Sequence, residues 1–425
     1  MATVRLAVGA HAPYATGTSS VAVIAPQAGS GYPSALARRG RDAVAVTLGR
    51  GARPAAYRGI AADEAYVDVI EYEGDLRSTV KKLRTTGVEA VMAASPVGVE
   101  LAERIAWQLR LPGSGIPGST LLRTDRGVQS EALAQIGVTV PTGVRTARLA
   151  EALEWIASRR LSVYRLVPAA LGVPVRSVNC HTVQQIVAVW PQIQEAAYRH
   201  SGNASLVLEE QVEGRQYVVD SVTQLGPDGP QHAVTGTWAF LHSSTGLLDR
   251  TDLLHRHSFL ARRLSLYVCR ALDALGVASG PASCHLAFEP ELGPVLLSAS
   301  TVTHRSRADE AVWAITDCDP IDVTLDGPLF AHRSNRTSSC VRVTRTYVDA
   351  QQGDGSRPTM LQDLAGLPTT ACIDKDLNSF ISQNAALPPR GTWEVVLAHA
   401  DSEAVEKDYS RIRELTADLH RAWHH

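Results

Sequence analysis

The feature that most restricts the fold is a regular alternation early in the chain. The apolar run "SVAVIAPQAGSG" (20–31) leads into helical "YPSALARRG", followed by the extended stretches "DAVAVTLG" and "YVDVIEYEG". The helix "LRSTVKKLRTTG", the strand "VEAVMAAS" and the helix "GVELAERIAWQLRL" complete the series. Strands alternating with helices of about a dozen residues indicate an open α/β sheet with helices on its faces. Gly29 and Gly31 invite a dinucleotide-binding reading, but Ser34 stands where the third glycine of GxGxxG belongs. A tight strand-to-helix turn is the better account of both glycines.

"LPGSGIPGST" (111–120) breaks this pattern and marks a boundary. Beyond it the elements are mixed. A helix starts near Asp125 in "RTDRGVQSEALAQIG", and "SVYRLVPA" is a buried strand. "TVQQIVAVWPQIQEAAYRHSG" is helical with an interruption at Pro191, and "SLVLEEQVEGRQYVVDSVTQLG" is strand, turn, strand. Thr235–Asp252 is expected to form a loop, with His242 and Arg250 as ligand-contact candidates. The helix "FLARRLSLYVCRALDALGV" runs into "GPASCHLAFEPELGPVLLSAS" (280–300), a hairpin with His285, Ser298 and Ser300 on its strands.

Composition removes several classes of partner. A formal net charge of −2 over 425 residues gives no sign of a nucleic-acid partner. No apolar run approaches a membrane span, and "MATVRLAVGAHAP" lacks the features of an export signal, so a cytoplasmic location is expected. Six widely spaced cysteines, none in a CxxC pair, are read as free thiols rather than a zinc site, and no metal ligand set is assigned. The chain has only four lysines, Lys81, Lys82, Lys375 and Lys407, so none occurs from 83 to 374.

Five segments in order resemble the ATP-grasp carboxylate–amine ligases, in particular the branch that joins amino acids into dipeptides. They are "VEAVMAASPVGVELAERIAWQLRLPG", "LLRTDRGVQSEALAQIGVTVP", "SLVLEEQVEGRQYVVD", "ALDALGVASGPASCHLAFEPELGPVLLSAS" and "GTWEVVLAHADSEAVEKDYSRIRELT". The resemblance implies a mixed α/β and α+β chain. A Rossmann-like domain (1–118) would precede two lobes, 119–205 and 206–425, that clasp ATP. It also implies a homodimer, ATP and Mg²⁺ as cofactors of an active member, and a small amino acid or peptide as substrate. Members activate a carboxylate as an acyl phosphate, which an amine then attacks. Triphosphate charge must be offset by cationic side chains and by magnesium held on oxygen ligands.

Several positions that match the family's working residues depart from them. Arg126 stands at the first ATP lysine and Val167 at the second; Arg165, two residues earlier on the same strand face, is a partial substitute. Glu209, Glu210 and Val212 keep the adenine-side hinge pattern, whereas Gln216 replaces a glutamate. In the hairpin, His285 replaces the metal-binding glutamate, Ser283 a histidine, and Ser298 and Ser300 a glutamate and an asparagine. Val302 replaces an arginine, for which His304 and Arg305 are displaced candidates. The pattern implies a degenerate ligase homologue. Two alternatives stay open, an active ligase with unorthodox residues and an enzyme with ATP-independent chemistry using His285, Ser298, Ser300 or Cys284. A paralogous active ligase is a candidate partner.

Overall fold

The computed structural model describes residues 19–27, 30–51, 54, 57, 59, 65–159, 163–175, 177–244, 246–302, 305–326, 341–349, 357–375 and 392–422. Strands β1 (Ser20–Ile24), β2 (Asp42–Leu48), β3 (Asp68–Tyr72) and β4 (Val88–Ala93) form a parallel sheet in the order β3-β2-β1-β4. Helices α1 (Tyr32–Ala37), α2 (Leu76–Thr85) and α3 (Val99–Leu109) cover it. Ala22, Ile24, Val44 and Val46 pack against Leu83 and Ile105, and Val21, Val23 and Ala43 against Tyr32 and Leu36. Burial on both faces explains why these strands are apolar runs rather than alternating ones. Gly31 enters α1 at φ 67°, and a Cβ on Gly98 would lie 2.8 Å from the Ile24 carbonyl oxygen. Both positions therefore require glycine.

The short helix α4 (Leu121–Thr124) and α5 (Arg126–Gln135) follow the Gly/Pro break. A second, antiparallel sheet then has the order β5-β8-β6-β7, from β5 (Gly143–Thr146), β6 (Tyr164–Pro168), β7 (Val178–Cys180) and β8 (Leu206–Glu210). Helices α6 (Leu149–Ala157) and α7 (Val183–Ser201) bury one face of it around Leu166, Ile186, Trp190 and Leu208. Two sequence expectations shift here. Helix α7 continues through Pro191; the bond lost to the Val187 carbonyl falls on an exposed side, where Val187 itself is 42% exposed. The residue-205 boundary separates β8 from β5 and β6, its hydrogen-bonded neighbours.

The third sheet is antiparallel, in the order β13-β12-β9-β10-β11-β14-β16-β15. Its strands are β9 (Arg215–Gly226), β10 (Gly229–His242), β11 (Leu248–Leu253), β12 (Gly280–Glu289), β13 (Gly293–Ser300), β14 (Arg342–Asp349), β15 (Thr370–Asp374) and β16 (Thr392–His399). Helices α8 (Phe259–Ala274), α9 (Arg307–Thr316), α10 (Pro320–Asp326), α11 (Arg357–Ala365) and α12 (Ser402–Ala422) complete the chain. One face packs Val219, Ala239, Cys284 and Leu286 against Leu264 and Val268 of α8. The opposite face carries Val218, Trp238, Phe240, Val343 and Val396, with Ala308 and Val312 of α9 upon it. Thr235–Asp252 is not a loop over a cleft. Most of it belongs to β10 and β11, because "TWAFLH" and "LDRTDL" pair across a turn near Ser243 and Gly246.

Candidate functional site

Strands β12 and β13 set the site by their register. Ser283 lies opposite Ser300 and His285 opposite Ser298, with a register shift just after His285. Side chains alternate along a strand, so Cys284 goes to the α8 side of the sheet while His285 projects the other way. His285 is 2% exposed and stacks on Phe240, ring centroids 5.6 Å apart. Its Nε2 donates to Gln216 Oε1 at 3.2 Å, which puts the proton of the neutral ring on Nε2. Burial, with Arg165 and Arg126 nearby, holds its pKa well below the ordinary imidazole value. Ser298 is also 2% exposed, and its Oγ has no hydrogen-bond partner.

The facing wall comes from α5 and the second sheet. Asp125 caps α5, accepting from the Gly127 and Val128 N–H groups, and takes Arg145 Nε at 2.9 Å. One turn on, Gln129 grips β13: its Nε2 donates to the Ala299 carbonyl at 2.7 Å and its Oε1 accepts the Ala299 N–H at 3.0 Å. The first turn of α5, beginning with Arg126, is thus fastened between Ser298 and Ser300. Arg165 and Glu209 are register partners on β6 and β8, and Arg165 donates to Glu209 Oε1 through Nε at 2.7 Å and through Nη2. Arg126 has no such pairing at Nε, which is shut from solvent and partnerless. Burial and the repulsion of Arg165 push its pKa down to about 10.

The other sequence candidates have different surroundings. Glu210 accepts from the Thr142 N–H, and the Val212 carbonyl accepts from Gln211 Nε2 at 3.2 Å. Arg305 is 4% exposed, paired with Asp319 and Glu310 and stacked on Trp313. His304 lies outside the described residues. Arg250 is held by Glu406 and Asp252, and burial lowers the pKa of His242.

Sequence reasoning missed a charged cluster further along the same sheet face. Arg345 is 2% exposed; it pairs with Glu394 at 2.9 Å and Asp309 at 2.8 Å, and its guanidinium lies 4.5 Å over Trp238. Asp220 accepts from Ser283 Oγ at 2.6 Å and from Trp238 Nε1 at 3.1 Å. Burial pushes Asp220 up to about 6 and Glu394 up to about 7. The only hint in the sequence was the strand alternation, which puts Asp220 on the His285 face. A second missed arrangement is Thr223–His232–Asp273, linked by contacts of 2.8 and 3.0 Å. Its Thr223 is 0% exposed and cannot meet a substrate.

Magnesium prefers hard oxygen ligands, chiefly carboxylates, water and phosphate. The hairpin offers a neutral imidazole engaged with Gln216 and two serine hydroxyls, and Asp220 is committed to Ser283 and Trp238. Among the described residues, no three His, Cys, Asp or Glu side chains gather as a metal site. These residues do not fit magnesium.

No family model matches the sequence, and no curated protein is similar to it in sequence. Solved structures are similar in fold. An L-amino acid ligase from Bacillus licheniformis superposes with a TM-score of 0.66 at 14% identity, covering 94% of this chain and 97% of that one. A carboxyaminoimidazole ribonucleotide synthase from Aspergillus clavatus, complexed with ATP, gives 0.66 at 13% identity over 95% and 99%. The biotin carboxylase domain of Hydrogenobacter thermophilus 2-oxoglutarate carboxylase, complexed with MgADP and bicarbonate, gives 0.58 at 13% identity over 90% and 86%. The chain has the ATP-grasp fold. No described helix is long and apolar enough to cross a membrane.

Proposed function

We propose that this chain, built on the ATP-grasp fold, is a degenerate ligase homologue that binds a small amino acid or peptide in its cleft without magnesium–ATP chemistry. It would act as a binding protein or as the partner of an active, paralogous ligase in small-molecule or peptide biosynthesis. A cytoplasmic homodimer belongs to the same reading. The observation that carries it is the charge account of the cleft. Arg165 is neutralised by Glu209, His285 is uncharged, and Arg126 is left with a buried, partnerless Nε beside the hairpin.

One surplus guanidinium suits a carboxylate, to which it presents planar donors, and the partnerless Ser298 hydroxyl supplies a further contact. A triphosphate carries several negative charges and is normally met by lysines and metal-bound oxygens together. Arg126 and Arg165 are also the observation that favours the alternative, an active amide-forming ligase with arginines at the nucleotide. ATP-independent catalysis finds less support, since Cys284 is buried on the far side of the sheet and burial raises its thiol pKa.

Incubation with ATP, Mg²⁺ and a panel of amino acids separates these readings. The proposal expects no ADP release, together with a ligand-dependent rise in melting temperature that is unchanged by EDTA. Amino-acid-dependent ADP release would establish the ligase reading instead.

A further inference from the structure

Behind the hairpin, at the junction of the first and third sheets, lies a cavity of about 340 Å³. None of the cleft residues Arg126, Arg165, His285 or Ser298 lines it. Its long wall is β4, the last strand in the order β3-β2-β1-β4, along whose outer edge no described strand pairs. Edge strands present backbone N–H and C=O groups without ladder partners. Met92 of β4, Pro281 at the start of β12 and Leu325 of α10 contribute apolar lining. Thr301, directly after β13, is 4% exposed, and its Oγ1 has no hydrogen-bond partner. Arg41, just before β2, and Glu89, near the start of β4, form an ion pair on the lining, their side chains 24% and 25% exposed.

We infer that this junction cavity is a second small-molecule site, built for an apolar zwitterionic α-amino acid. Opposite charges side by side discriminate against ligands of one sign, because Glu89 repels an anion that Arg41 attracts, and the reverse holds for a cation. A zwitterion satisfies both: its carboxylate meets Arg41, its ammonium meets Glu89, and an apolar side chain fills the space by Met92, Pro281 and Leu325. Thr301 Oγ1 gains the partner that it lacks. A cavity of this size, lined by apolar and polar groups together, falls within the range of small-ligand pockets. The inference does not depend on the cleft reading.

Calorimetry with L-leucine, on the wild type and on Arg126→Ala, tests it. The expected result is binding retained in Arg126→Ala and weakened about tenfold or more in Glu89→Gln and in Thr301→Val, each of which removes a polar contact to the ligand. Leucinol and 4-methylpentanoate, which lack one charge each, are expected to bind at least about tenfold more weakly than leucine to the wild type. Thr301→Val is nearly isosteric and loses only a partnerless hydroxyl, so its unchanged melting temperature without ligand guards against misfolding as the cause. Leucine binding that vanishes in Arg126→Ala but survives in both pocket variants would assign it to the cleft and overturn the proposal. Equal affinity for the single-charge analogues, or no heat with leucine at all, would overturn it as well.

Discussion

Two regions of one sheet face treat charge in opposite ways. On β14 and β16, Arg345 and Glu394 are buried as a pair, with Asp309 of α9 as a third member. On β12 and β13, the positions nearest the facing arginines hold His285, Ser298 and Ser300, and no carboxylate. Both regions are almost fully buried, so burial alone does not explain the difference. In the first, the charges satisfy one another and tie α9 to the sheet. In the second, Arg165 is paired with Glu209 and Arg126 keeps a buried Nε without a partner. Arg123, Arg165 and Arg345 are buried with carboxylate partners, whereas Arg126 forms no ion pair among the described residues, and unpaired buried charge of that kind is characteristic of binding sites.

Removing a charge from each region is the most forceful way to break the comparison. Arg345→Ala leaves Glu394 and Asp309 buried without their counter-ion and is expected to cost about 3–5 kcal/mol in urea unfolding. Arg126→Ala removes a guanidinium that is repelled by Arg165, and is expected to cost about 1 kcal/mol or less while abolishing cleft binding. Comparable losses in the two variants would show that Arg126 is a structural residue.

A smaller loss is expected at the ring between the two regions. His285→Ala opens a cavity against Phe240 and strands Gln216, at an expected cost of about 2–4 kcal/mol. Because the folded-state pKa of His285 lies below 6.5, the native state binds fewer protons than the unfolded one. Its contribution is complete above pH 6.5 and is lost as the pH falls below it. His285→Asn is expected to flatten that part of the stability profile.

The charged cluster has the opposite sign of pH dependence. Glu394 is raised from 4.5 to about 7, so the folded state holds a proton that the unfolded state releases. Its contribution is greatest below pH 4.5 and declines as the pH rises to about 7. Glu394→Gln is expected to remove this decline, measured by unfolding at a series of pH values. An unchanged slope would mean that another group titrates. The smallest effect belongs to Ser298→Ala, which deletes a hydroxyl with no partner and is expected to change stability by less than about 0.5 kcal/mol. A larger loss would reveal a hidden bond and weaken the case for Ser298 as a ligand group.

The fold was largely legible because its signals are local. The apolar runs of β1, β2 and β4 and the turn residue Gly31 announce a parallel layer, and Asp125 marks the start of α5 directly. Strand β8 was divided from its sheet because pairing with β5 and β6 joins segments far apart in the chain. Thr235–Asp252 reads as a loop because its two glycines, its serines and its charged residues resemble loop composition, although Trp238 and Phe240 already alternate. In the site, Arg126, Arg165, Glu209, Gln216 and His285 could be placed by motif order, and strand parity put Cys284 on the other face. The commitment of Arg305 to Asp319 and Glu310 was not legible, and neither was the Arg345 cluster. Both depend on tertiary contacts that no spacing encodes.

The central claim is that the cleft has no use for magnesium. Calorimetric titration of ATP into the protein, once with Mg²⁺ and once with EDTA, tests it most directly. The account predicts the same weak or absent binding in both titrations. ATP affinity that rises about tenfold or more when Mg²⁺ is present, and is lost in His285→Ala or Ser298→Ala, would contradict it.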